Sequence, residues 1–135
     1  MPVMECPFCG IANHSLPGRI IYEDAFSCIF LDIAGDVDGH MLAVPKKHIS
    51  NVMECDTETL HHLMDAVQAV SRHCMELGYE GVNLLNASGV CAGQSVPHFH
   101  IHIIPRKPAD GINAWPAFSG STISLDEAEK LLKIE

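Results

Sequence analysis

The sequence predicts an α+β fold with a mainly antiparallel sheet, and three features point to it. Short runs rich in Ile, Phe, Tyr and Val occupy the first third of the chain. One long amphipathic helix follows, and two more apolar runs come after it. "RIIYE" and "AFSCIFLDI" read as two strands joined by a tight turn around Asp24, because β-branched and aromatic residues suit a pleated, half-buried surface. "GDVDG" is a loop, and "HMLAVP" is a third strand closed by Pro45, which has no N–H to continue a ladder. The helix spans about Asp56 to Leu77: Leu60, Leu63, Met64, Val67, Val70, Cys74 and Leu77 recur at three- and four-residue steps and make one apolar stripe. Asp56 or Thr57 caps its start and Gly78 its end. "GVNLLNA" is a fourth strand and "HFHIHIIP" a fifth. After Pro105 a loop carrying Trp115 leads to "SLDEAEKLLKIE", where Ser124 and Glu127 fit a capping box for a short final helix.

A chain of 135 residues reads as a single domain able to bury one core. With 47% hydrophobic and 19% charged residues and no low-complexity run, it does not have the composition of a disordered chain. No apolar stretch approaches the ~20 residues that span a bilayer, and no basic segment followed by an apolar one opens the chain. The expectation is a cytoplasmic protein with no membrane partner. Eight basic against seventeen acidic side chains give a formal charge of -9, a field that repels a nucleic-acid polymer. A small anion held by backbone N–H groups and imidazoles is compatible with that charge.

Cys28, Cys74 and Cys91 are scattered singly, the first two within apolar segments, where thiols are usually inert core residues. Cys6 and Cys9, in "ECPFCG", form a motif. Two thiolates at this spacing can share one zinc, and a closed site needs two more ligands. No second cysteine pair supplies them, so they would be histidines far along the chain, with His48 and a member of a later triplet as candidates. The rival readings are a vestigial pair and a redox pair, although a thioredoxin-type motif expects a βαβ context that is absent here.

The triplet lies in "SVPHFHIHIIPR": His98, His100 and His102 at alternate positions, sharing one face of a strand with Phe99, Ile101 and Ile103 on the other. Two functional readings compete. Imidazoles are common metal ligands, yet a catalytic cluster generally adds a carboxylate, and this segment has none. Alternatively, a neutral imidazole pinned through its other nitrogen is a nucleophile at neutral pH, and a neighbouring imidazole can assist proton transfer. The stretch just upstream, "NASGVCAGQSVPH", favours attack on phosphorus. Its Asn86, Ser88, Gly89, Gly93, Gln94 and Ser95 can form a loop whose backbone N–H groups cradle an anion without any charge.

"QSVPHFHIHIIPR", preceded by "GHMLAVPKKHI" and "FLDI", closely resembles the histidine-triad (HIT) family, in particular its small nucleotide-binding, phosphoramidase-like branch. The resemblance runs from about Cys6 to Arg106 and is poorest over the tail, about 107–135. It implies a HIT-like fold, a five-stranded antiparallel sheet with one long helix, and a homodimer. It further implies binding of a purine nucleoside monophosphate and cleavage of its phosphoramidates or related nucleotidyl conjugates at the α-phosphorus, through a nucleotidyl-histidine. His100 would be the nucleophile, His102 would contact the phosphate, His40 would support the site, and Ser95 would donate to the leaving group. Asp32 would accept from the ribose hydroxyls, flanked by Leu31 and Ile33, and Asn86, Gln94, Ser95 and Val96 would surround the phosphate. Zinc-carrying members imply a structural zinc on Cys6, Cys9, His48 and His98, fastening an N-terminal segment of about residues 1–18. Alternatives in other classes are a nucleotide-sensing scaffold with incidental hydrolysis and a dinucleoside polyphosphate hydrolase.

Overall fold

Apolar runs without alternation mark strands covered on both faces, and "SCIFL" and "MLAVP" are such runs. In the computed structural model, which describes residues 5–134, they form β2 (Ser27–Leu31) and β3 (Met41–Pro45). With β1 (Ile20–Glu23), β4 (Gly81–Leu85) and β5 (Ile101–Arg106) they make one antiparallel sheet of order β1-β2-β3-β5-β4. β2 and β3 pair without a slip from Ser27↔Pro45 to Leu31↔Met41. The Asp32 N–H, donating to the His40 carbonyl at 2.9 Å, carries the ladder one step further, so Asp32 and His40 face each other at its open end.

Side-chain alternation then divides the core in two. Ile29, Met41, Ala43, Phe99, Ile101 and Ile103 meet Leu63, Ala66, Val67, Val70 and Cys74 of the long helix, α2 (Thr57–Glu76). Cys28, Phe30, Leu42 and Val44 point the other way, against a short helix, α1 (Pro7–Ala12). The apolar stripe of α2 is therefore narrower than the periodicity suggested: Met64 and Leu77 are exposed, and Ala66 fills the interface instead. Asp56 caps α2 by accepting from the Thr59 N–H. At the other end Gly78 takes φ +97°, where only glycine is comfortable, and the Gly78 and Tyr79 N–H groups close on Met75 and Cys74 carbonyls.

α1 was not expected. Cys6 caps it, its sulfur accepting from the Cys9 N–H, and Pro7 occupies the first turn, where a missing N–H costs nothing. β5 also differs from the expected "HFHIHIIP": it starts at Ile101 and includes Arg106. Pro97 has no N–H, the His98 N–H turns back to the Val96 carbonyl, and the Phe99 N–H goes to Ile49 at 2.6 Å, so these residues are held outside the ladder. The final helix, α3 (Leu125–Leu132), has its Ser124 cap as expected and buries no residue. Among the described residues no helix is long and apolar enough to cross a membrane.

Candidate functional site

The three histidines emerge on the sheet face opposite α2, and each has one ring nitrogen fixed by a neighbour. The His98 Nε2–H donates to the Pro45 carbonyl at 2.9 Å, a group that can only accept, so Nδ1 carries the lone pair. That nitrogen lies 3.3 Å from Cys6 Sγ and 3.5 Å from Cys9 Sγ, and His48 Nδ1 lies 3.1 Å from Cys9 Sγ. Around a tetrahedral zinc, bonds of about 2.0–2.3 Å place neighbouring ligand atoms about 3.3–3.8 Å apart, so these three separations fall within tenths of an ångström of that span, and all four donor atoms lie within 4.8 Å of one another. Burial holds His98 neutral, its pKa lowered to about 4. Burial, then the adjoining Cys6, pushes the Cys9 thiol up to about 11. A thiol so placed ionises at neutral pH only if a cation binds it, and the four donors match a Cys₂His₂ zinc site.

His100 is also buried, and its Nδ1–H donates to the His98 carbonyl at 2.7 Å. In the neutral ring this tautomer puts the lone pair on Nε2. Asn86 Nδ2 donates to the His100 carbonyl at 2.9 Å, and Phe8 of α1 packs edge-on to the His100 ring at 5.1 Å and 79°. His102, on β5, follows at 5.0 Å between ring centres. Its Nδ1 meets His40 Nε2 at 2.8 Å, and His40 Nδ1 meets Asp36 Oδ1 at 2.9 Å. A carboxylate accepts only, so the hydrogen bonds run in one direction: His40 Nδ1–H to Asp36, His102 Nδ1–H to His40. That leaves His102 Nε2 bare. Burial of the ring holds its pKa below the ordinary histidine value. Gly39, at φ +76°, turns the chain immediately before His40; a Cβ there would meet only ordinary contact with Pro105 at 3.4 Å, so the backbone angle is what calls for glycine.

Leu31, Asp32 and Ile33 line a cavity of about 610 Å³ together with Pro7, Phe8 and Ile11 of α1 and Phe30 and Leu42 of the sheet. Asp32 Oδ1 is engaged by the Ala34 N–H, whereas Oδ2 faces His40 Nε2 at 3.8 Å. A second cavity, of about 450 Å³, is lined by His40, His102 and Asn86. Gln94 is engaged within its own loop. Its Oε1 accepts from the Gly89 N–H, and its Nε2 donates to the Ser50 and Val96 carbonyls at 2.6 and 3.0 Å, so its amide clasps the loop from within. The Val96 side chain likewise packs toward the α1 core. Among the described residues, no protein acceptor takes the N–H groups of Ser95 and Val96. Phe8, Ile11 and Asp36 were not anticipated from the sequence. The signal for Phe8 was its place between the two cysteines; Asp36 had none that set it apart from other loop acids.

Comparison with known proteins agrees with this geometry. The HIT domain model matches residues 13–109. A HIT-like protein of Methanocaldococcus jannaschii is 41% identical over 128 residues, 95% of this chain and 98% of that one. An adenosine 5′-monophosphoramidase of Schizosaccharomyces pombe is 35% identical over 130 residues, 95% and 93% of the two chains. The crystal structure of a zinc-bound histidine triad family protein from Mycobacterium smegmatis superposes with a TM-score of 0.78 at 32% identity, covering 84% of this chain and 83% of that one. The family model thus spans most of the chain, including the segments that carry the histidines, and this chain belongs to the HIT domain family.

Proposed function

We propose that this protein hydrolyses nucleoside phosphoramidates or related nucleotidyl conjugates, with His100 as the nucleophile. The observation that carries the proposal is the His100 Nδ1–H bond to the His98 carbonyl, which in the neutral ring puts the lone pair on Nε2. His100 sits under Phe8, a residue that also lines the 610 Å³ cavity, where Leu31, Asp32 and Ile33 would hold base and ribose. Attack by Nε2 on the α-phosphorus forms a P–N bond to His100 and breaks the bond to the leaving amine. The amine takes the proton of the Ser95 hydroxyl. Water, giving up a proton through the bare Nε2 of His102 that returns to Ser95, then cleaves the phosphohistidine, releasing the nucleoside monophosphate and restoring His100. The Ser95 and Val96 N–H groups would cradle the phosphate, with the second N–H of Asn86 beside them, while His40 and Asp36 keep His102 in one tautomer.

The same reading assigns a structural zinc to Cys6, Cys9, His48 and His98, supported by the ligand spacing and by a zinc-bound relative. When bound, it would deprotonate both thiols and fasten α1 over the catalytic segment. It also takes residues 1–135 as one domain, cytoplasmic, and paired as a homodimer through an open sheet edge such as that of β4. His100→Asn decides the central assignment: turnover of adenosine 5′-phosphoramidate should vanish while AMP still binds. Full activity in that variant would remove His100 from the chemistry.

A further inference from the structure

The triplet segment contains no acid, yet the fold brings a carboxylate to its last histidine. His40 Nε2 and His102 Nδ1 are 2.8 Å apart, and Asp32 Oδ2 is 3.8 Å from His40 Nε2. Asp32, His40 and His102 each offer one donor atom, all within 4.8 Å of one another. A cation bonded at about 2.0–2.2 Å to such donors holds them roughly 2.9–3.5 Å apart, and the two separations here bracket that span. A second, independent feature concerns His40. Asp36 Oδ1 accepts from its Nδ1–H at 2.9 Å, the outer carboxylate that typically orients a metal-ligating histidine and aims its other lone pair. The His40 ring is buried, so that aim is held.

We propose that Asp32, His40 and His102 form a second metal site, which takes a divalent transition cation and so excludes nucleotide. Two imidazoles and one carboxylate suit first-row transition cations; magnesium and calcium prefer all-oxygen sites. The cation replaces the hydrogen bond between His40 Nε2 and His102 Nδ1. The proton leaving His102 Nδ1 moves to its Nε2, so the proton count is unchanged, and Asp32 Oδ2 completes the set. The carboxylate is then no longer free for ribose hydroxyls. The exclusion rests on the proposed function, in which Asp32 and His102 contact nucleotide; the metal site itself does not.

The test is a cobalt(II) titration of protein already carrying one zinc per chain, followed by calorimetry and absorbance. A second equivalent should bind without thiolate-to-cobalt absorption, be lost in His40→Ala and in Asp32→Asn, and weaken about 10–100-fold in Asp36→Asn. Asp32→Asn keeps an acceptor for the Ala34 N–H, so its fold is safeguarded. A single metal per chain, thiolate absorption accompanying the cobalt, or a second equivalent that survives in both ligand variants would overturn the site. Saturating AMP should raise the apparent Kd for cobalt; an unchanged Kd, with AMP binding verified separately, would overturn the exclusion. Failure of AMP to bind cobalt-free protein counts against the proposed function instead, and the cobalt stoichiometry still decides the metal site.

Discussion

Replacing Phe8 separates its packing in the core from the positioning of His100 that the proposed function gives it. Phe8 is 8% exposed within the cluster of Cys28, Phe30, Leu42 and Val44, and it meets Phe30, His98 and His100 edge-on at 5.6, 5.9 and 5.1 Å. Truncating a buried Phe to Ala removes its transfer energy and leaves a cavity, together about 3–5 kcal/mol. At about 4 °C per kcal/mol for a chain of this size, Phe8→Ala should lower the thermal midpoint by about 12–20 °C. Phe8→Leu keeps most of the volume and should lose less than about 1.5 kcal/mol. Neither variant retains the aromatic edge against His100. A contact of that kind contributes about 0.5–1.5 kcal/mol beyond its buried area, which corresponds to a fall of about 2- to 12-fold in kcat if it positions the nucleophile. Melting curves, zinc content and steady-state hydrolysis of adenosine 5′-phosphoramidate are the assays. A folded, zinc-loaded Phe8→Leu protein with undiminished kcat would refute the positioning role and leave Phe8 as core packing alone.

Zinc removal offers a further check: exhaustive chelation should lower the thermal midpoint and loosen α1, whereas release of metal without any change in stability would argue against a structural site. Leu63→Ala, at a fully buried position on α2, should destabilise by about 2–5 kcal/mol in urea titration without changing AMP affinity. Gln94→Ala, by freeing the clasp to Gly89, Ser50 and Val96, should raise KM more than it lowers kcat, and equal effects on both would point to direct contact with the reacting phosphate. Asp56 is held down to about 2, chiefly by the Thr59 N–H and hydroxyl. Its stabilising effect is therefore present above the unfolded carboxylate value and is lost as pH falls toward about 2. Thermal midpoints of Asp56→Asn should lie below those of the parent near neutrality and converge with them in acid.

Much of the architecture could be read before any coordinates, because it depends on local pattern. The Leu60–Cys74 stripe, with Asp56 before it and Gly78 after it, located α2 to within a residue or two. Period two placed the triplet on one face, since successive side chains of extended backbone must alternate. The turn at Asp24 was equally visible, and its carboxylate does accept from the Phe26 and Ser27 N–H groups. What stayed hidden depends on distant partners. α1 has six residues and little propensity of its own, and it is held where its cap sulfur meets His98, 92 positions away. The use of Gln94 as a clasp was hidden because it depends on the Ser50 carbonyl, 44 positions distant.

By itself the sequence determined most of the elements, the shared face of His98, His100 and His102, and, through resemblance, the family; the structure brings together the Cys6, Cys9, His48 and His98 that the same resemblance implied. Periodicity, caps and breakers act over a few residues, so a linear reading captures them. Only the tertiary structure decided what each imidazole can do. The Pro45 carbonyl turns His98 Nδ1 toward the cysteines, the His98 carbonyl bares His100 Nε2, and Asp36 through His40 sets the tautomer of His102. A histidine's role follows from which of its two nitrogens holds the proton. Here that is fixed by acceptors from other parts of the fold, and no spacing along the chain encodes it.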